Sequence, residues 1–165
     1  MHRKIKLLFM DVDGTLTDGK IYMGNDGEIF KAFDIQDGYG IHELLPQYGI
    51  IPVIITGRTS RIVENRAKEL GIEELYQGKH DKVETMLQVV QKYGCTMDET
   101  AYIGDDCLDV ACMKLCAISA CPADAVDSVK KTCNFVCKRA GGDGAVREFI
   151  DWLCMQIDSE KEKQA

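Results

Sequence analysis

The sequence predicts an α/β protein: a doubly wound (Rossmann-like) parallel sheet with helices on both faces and a small β-hairpin flap. Three observations predict it. Short apolar runs alternate with stretches of helical spacing, the pattern of repeated β-α-β units. The 165 residues suit one domain, with no internal repeat and no low-complexity linker. The composition, 45% hydrophobic and 28% charged, is that of an ordinary globular protein.

Each element has its own signal. Residues 5–10 are almost uniformly apolar and read as a buried strand. Residues 20–33 are punctuated by glycine and rich in Ile, Tyr and Phe, which suits a hairpin turning at Gly24-Asn25-Asp26-Gly27. Residues 38–47 look helical and close near Pro46 and Gly49. Residues 50–55 form a second strand, with Pro52 near its start, where a missing N–H is tolerated. Residues 60–70 form an amphipathic helix ended by Gly71, and 74–76 a short strand. Residues 79–93 carry Val83, Met86, Leu87 and Val90 at helical spacing. A strand at 101–104, a helix at 108–115, strands at 116–119 and 134–136, and a last helix at 144–157 complete the alternation. The domain is expected to span 1–157, leaving 158–165 as a polar tail.

Lys and Arg number 20 against 27 Asp and Glu, a net charge of −7, which argues against a general nucleic-acid binder. No apolar run approaches the ~20 residues needed to cross a bilayer. Residues 1–9 have a basic start but too short an apolar stretch for a signal peptide, so a cytoplasmic location is expected. The eight cysteines include no Cys-x-x-Cys pair, and six crowd residues 107–137 among apolar neighbours. They read as reduced, buried thiols rather than a metal cluster.

In such sheets ligands bind beyond the carboxyl ends of the strands, and this is where the acids lie. The first strand runs into Asp11-Val12-Asp13-Gly14-Thr15, two acids two residues apart on one side of the chain. One can serve as nucleophile or metal ligand while the other moves protons; alone, the pair also suits an Asx-turn. Gly104-Asp105-Asp106-Cys107-Leu108-Asp109 follows a later strand. Its acids suit a hard cation such as magnesium, although Asp106 and Asp109 also form a helix-capping pattern. Thr56-Gly57-Arg58 ends the second strand with a hydroxyl, a Gly amide and a guanidinium, a set suited to phosphate. Lys82 follows the third strand, and the order of these signals is more telling than any one of them.

That order resembles the haloacid dehalogenase-like phosphatases, whose four motifs appear as Asp11-Val12-Asp13-Gly14-Thr15, Thr56, Lys82 and Gly104-Asp105-Asp106 with Asp109. The finer resemblance is to their capless branch, which contains 3-deoxy-D-manno-octulosonate 8-phosphate phosphatase. It rests on Leu16-Thr17-Asp18-Gly19, Phe33-Asp34-Ile35-Gln36-Asp37-Gly38-Tyr39-Gly40, Ile55-Thr56-Gly57-Arg58, Tyr76-Gln77-Gly78 and Gly141-Gly142-Asp143-Gly144-Ala145-Val146-Arg147-Glu148. The chain departs from many octulosonate enzymes at Gln36, where they carry Arg, and at His42, where they carry a basic residue.

The resemblance implies a phosphomonoesterase acting on a phosphorylated keto-deoxy sugar acid, in lipopolysaccharide or sialic acid biosynthesis. Asp11 would be the nucleophile, passing through an aspartyl-phosphate, and Asp13 the acid and base. Mg2+ would be held by Asp11, Asp13 through its carbonyl, and Asp105, with Asp106 and Asp109 ordering its water. Thr56, Gly57 and Lys82 would stabilise the transferring phosphoryl group, and Asp34, Gln36, Asp37, Gly38, Arg58 and Arg66 would face the substrate. Residues 14–55 leave no room for a cap domain. The branch closes its sites by assembly, so a homotetramer is expected, with the Gly141–Glu148 segment near the substrate entrance. Rival readings are a nonulosonate 9-phosphate phosphatase, a phospho-accepting receiver domain, whose motif order differs, and a non-catalytic domain.

Overall fold

The structure, a computed structural model, describes residues 4–163. Its centre is β1 (Leu7–Met10), buried along its whole length. A hairpin, β2 (Tyr22–Gly24) and β3 (Gly27–Phe30), stands apart as a separate two-stranded sheet. Helix α1 (Ile35–Tyr39) runs through a wide π turn at Gly40–Leu44 into α2 (Leu45–Gln47). Then come β4 (Ile51–Ile55), α3 (Arg61–Glu69), β5 (Glu74–Tyr76) and α4 (Lys82–Lys92). The rest is β6 (Thr100–Ile103), α5 (Val110–Leu115), β7 (Ile118–Cys121), α6 (Asp127–Lys130), β8 (Phe135–Val136) and α7 (Ala145–Glu162).

The six long-range strands form one parallel sheet in the order β5-β4-β1-β6-β7-β8. Leu7 pairs with Ile51 on one side and Thr100 on the other. The chain leaves β1 toward β4 and β5, then returns to β6 on its opposite side. Strand order therefore reverses at β1, which opens a crevice at the carboxyl ends of β1, β4 and β6. Side chains of β1 alternate between the faces. Leu8 and Met10 pack with Ile41, Leu45, Val63, Phe149 and Ile150 from α1–α3 and α7. Leu7 and Phe9 pack with Met86, Val89, Cys112, Met113 and Val129 from α4–α6. Between Asp13 and Thr56 stand only the hairpin and the α1–α2 segment, so there is no cap domain. Among the described residues no helix is long and apolar enough to cross a membrane.

Several boundaries differ from those read in the sequence. The first helix starts three residues early because Asp34 caps it, accepting from Gln36 N at 2.7 Å and Asp37 N at 3.2 Å. Helix α4 starts at Lys82 rather than 79, since Asp81 accepts from Glu84 N and leaves 79–81 in the loop. Strand β7 lies two residues downstream of 116–119, because Cys116 N still donates to Cys112 O at the close of α5. The short α6 was not foreseen. Helix α7 runs to Glu162, so the polar run from Asp158 begins as helix, with Asp158 accepting from Tyr48 Oη at 2.6 Å. Residues 1–3 of the basic start and 164–165 of the expected tail lie outside the described residues.

Candidate active site

Asp11 continues the β1 ladder by one residue, its N–H donating to Ile103 O, and so sits at the strand end beside β6. The chain then turns, with the N–H groups of Thr15, Leu16 and Thr17 all directed at Val12 O. Gly14 makes this turn possible on two counts. Its φ is +94°, and a Cβ there would lie 2.1 Å from Asp105 Oδ2. Thr15 Oγ1 instead reaches across to donate to Asp105 Oδ1 at 3.0 Å.

Asp109 holds the second acidic loop together. Its Oδ2 accepts from the Asp105 and Asp106 N–H groups at 3.0 and 3.2 Å. Its Oδ1 accepts from Tyr102 Oη at 2.6 Å and Lys82 Nζ at 2.8 Å. Gly104 leaves room for this carboxylate, which a Cβ would approach to 2.3 Å. With four donors, Asp109 is saturated and acts as scaffold. Asp106 caps the turn at Cys107–Asp109, its Oδ1 accepting from Cys107 N at 2.6 Å, and it also lines the cleft.

Lys82 opens α4 and is buried, its Nζ 2.8 Å from both Asp11 Oδ1 and Asp109 Oδ1. Burial disfavours its charge, but the two carboxylates outweigh burial and raise its pKa. Carboxyl oxygens of Asp11, Asp105 and Asp109 lie within 4.8 Å of one another. Burial, then the charge of Asp11, pushes Asp105 up to about 8. Burial and the charge of Asp109 likewise raise Asp11, against the pull of Lys82. One buried cation among three acids leaves a deficit of positive charge, and the free donors are all carboxylate oxygens. That set fits a hard divalent cation, with Asp11 and Asp105 the side chains able to hold it.

Thr56 follows β4, fixed by its N–H to Tyr76 O and by Lys79 N to its own carbonyl. Thr56, Gly57 and Arg58 line an open cleft of about 180 Å³ with Asp11, Asp13, Lys82, Asp105 and Asp106. The carboxylate of Asp13 is ion-paired to Lys31 through Oδ1, and Arg58 Nε lies 3.9 Å from Oδ2. Its side chain is thus turned toward cations and adds no oxygen to the acidic cluster, while the metal set read from the sequence uses its backbone carbonyl.

The remaining expected substrate residues do not line this cleft. Asp34 caps α1, and Gln36 Oε1 accepts from Arg139 Nη1 at 2.5 Å. Asp37 is buried, its Oδ1 accepting from Arg147 N at 2.8 Å in the first turn of α7. Burial raises it to about 6. Gly38 makes room for Arg66, whose Nη2 a Cβ would approach to 2.5 Å. Arg66 pairs with Glu69 at 2.9 Å and lies 5.6 Å over the Phe33 ring. Within one chain these residues seat α1. His42 is exposed, with Nδ1 3.0 Å from Leu70 O.

The Gly141–Gly144 stretch presses on the back of the Asp13–Thr15 turn. A Cβ on Gly141 would lie 2.0 Å from Gly14 O, and Gly142 N donates to Thr15 O. All eight cysteines are free; Cys107 departs from the expected burial and is exposed. The sequence reading passed over Lys31, Thr15 and Tyr102. Thr15 stood inside the motif, but nothing around Lys31 or Tyr102 marked them, because their roles depend on where the fold places Asp13 and Asp109.

A model of the haloacid dehalogenase-like hydrolases matches residues 71–150. The chain is 43% identical over 154 residues to a 3-deoxy-D-manno-octulosonate 8-phosphate phosphatase, KdsC, of Yersinia pestis, covering 93% of this chain and 82% of that protein. The enzyme of the same name from Moraxella catarrhalis, solved with magnesium, phosphate and KDO, is 36% identical with a TM-score of 0.89, covering 99% and 95% of the two chains. A cobalt-bound deoxy-D-mannose-octulosonate 8-phosphate phosphatase of Haemophilus influenzae is 36% identical with a TM-score of 0.90, covering 94% and 91%.

Proposed function

As a chain that belongs to the haloacid dehalogenase-like hydrolases, in their octulosonate phosphatase branch, this protein is a phosphatase, and we propose that it hydrolyses 3-deoxy-D-manno-octulosonate 8-phosphate with Mg2+ in the cytoplasm. The observation that carries the reading is the buried Asp11–Lys82–Asp105 cluster, at the strand ends of a chain 43% identical to a phosphatase of that name.

Asp11 attacks phosphorus and becomes an aspartyl-phosphate, and Lys82, 2.8 Å from Oδ1, directs its carboxylate. Asp13 gives a proton to the departing sugar alkoxide, then takes one from the water that hydrolyses the intermediate. Thr56 and the Gly57 amide hold phosphoryl oxygens, and Arg58 at the cleft mouth attracts the anionic sugar acid. A magnesium ion held by Asp11 and Asp105 supplies positive charge that offsets repulsion between nucleophile and phosphate. The exposed Met23, Ile29 and Phe30 of the hairpin suit burial against another subunit, and in a homotetramer the hairpin and the C-terminal segment would close a neighbouring cleft.

Phosphate release over a panel of phosphorylated sugar acids tests the assignment. The expected result is the highest kcat/KM for the octulosonate 8-phosphate. A higher value for a nonulosonate 9-phosphate would reassign the substrate, and phosphoprotein without phosphate release would refute hydrolysis.

A further inference from the structure

Lys31 belongs to none of the motifs that build the cleft, yet its side chain is only 1% exposed. It lies just past β3, where the hairpin returns to the domain. Its ammonium sits between two carboxylates, Asp13 through Oδ1 and Glu28 through Oε1 at 2.8 Å. Glu28 is itself tethered, its Oε2 accepting from Ser60 Oγ at 2.6 Å at the start of α3. The alternative cation for Asp13, Arg58, is half exposed and 3.9 Å from Oδ2. A buried ammonium is retained only where its partners hold it, so this chain of contacts is a fixed strut between hairpin, α3 and Asp13.

We propose that Lys31 is a positioning residue for the hydrolytic reaction. It takes one oxygen of Asp13 permanently, so that only Oδ2 remains to exchange protons, and it ties that orientation to the seat of the hairpin. The proposal rests on the reading that Asp13 is the acid and base. In the first step Asp11 bonds to phosphorus as the P–O ester bond breaks, and the Asp13 proton goes to the departing alkoxide. In the second, water gives its proton to Asp13 as its oxygen bonds to phosphorus and the acyl-phosphate breaks. Lys31 stays protonated throughout and transfers nothing.

Leaving-group dependence reads this role out, since a nitrophenolate needs no proton to depart whereas a sugar alkoxide does. Lys31→Met is expected to lose about 100-fold in kcat on the phosphorylated sugar acid with KM little changed, the scale of a misdirected general acid. On p-nitrophenyl phosphate it should release one burst of nitrophenolate per site and then turn over slowly, because the second step still needs Asp13. Lys31→Arg, which keeps the ion pairs, should recover most of the rate. Lys31→Met with Glu28→Gln removes one charge of each sign and guards against failure of the single variant to fold, with melting temperatures recorded for all. Wild-type rates in the folded Met variants would overturn the proposal. So would an equal loss on both substrates without a burst, the mark of a merely structural lysine. Asp13→Asn runs in parallel: if that variant turns over normally, the reading of Asp13 fails, whereas a dead Asp13→Asn beside a fully active Lys31→Met sinks only the role of Lys31.

Discussion

Replacing Asp37 with asparagine should change how stability depends on pH. Asp37 is 2% exposed and its Oδ1 accepts from Arg147 N, while Oδ2 is buried without a partner. Burial raises its pKa from 3.8 to about 6, so the folded chain keeps this proton over a range in which the unfolded chain has released it. Stability therefore falls as pH rises from about 4 through about 6, the reverse of a salt-bridged aspartate. At about 1.4 kcal/mol per pH unit between the two values, the full penalty is about 3 kcal/mol above pH 7. Between pH 5 and pH 7.5 about half of it develops, roughly 1.4 kcal/mol. Asparagine keeps an acceptor for Arg147 N and cannot ionise. Urea unfolding of both proteins at one protein concentration should show the variant gaining on the parent by that amount over this interval, whatever fixed offset the amide introduces. Parallel pH profiles for the two proteins would refute the argument, since they would mean Asp37 is ionised normally within the fold.

Asp11→Asn should lower kcat by at least ~10³-fold with its circular dichroism unchanged, and near-normal activity would remove Asp11 as nucleophile. Exhaustive chelation should stop hydrolysis and lower the melting temperature, as repulsion between Asp11 and Asp105 returns, with Mg2+ reversing both; ion at 100 times its Kd restores about 2.7 kcal/mol. Gly141→Ala places a Cβ 2.0 Å from Gly14 O, so the turn that carries Asp13 must move. A loss of about 1–3 kcal/mol in denaturant and of about 100-fold in kcat is expected, and an unaffected variant would show that the turn tolerates displacement.

Much of the framework was legible in the sequence because its signals are local. The apolar run at β1 and the acids that follow it, Thr56-Gly57 after β4, and Gly104-Asp105-Asp106 after β6 announce strand ends directly. In the second acidic loop the capping pattern read from the sequence is present. Asp106 and Asp109 are used by the loop's own N–H groups, and Asp105 is left facing Asp11. What escaped the sequence depends on contacts that spacing does not announce. Lys31 gains its meaning from Asp13 and Glu28, and Tyr102 from Asp109. Asp37 anchors α1 to the start of α7 and Arg66 packs beneath it, placements that spacing alone does not reveal. The early start of α1 was readable in principle, since Asp34 precedes Gln36 and Asp37 as a helix cap does.

The strand at the heart of the sheet comes before the other five strands of that sheet in chain order. β1 pairs with β4 and β6, whose partners for Leu7 are Ile51 and Thr100, so during synthesis it has both edges open until β4 follows and one until β6 does. Its residues Leu7-Leu8-Phe9-Met10 are wholly apolar, which makes the nascent chain adhesive until β6 arrives. Asp11 and Asp109 cannot share Lys82 before that moment. Recovery of phosphatase activity during refolding thus reports the β1–β6 pairing, and it should lag the helical signal of the locally built α3 and α4.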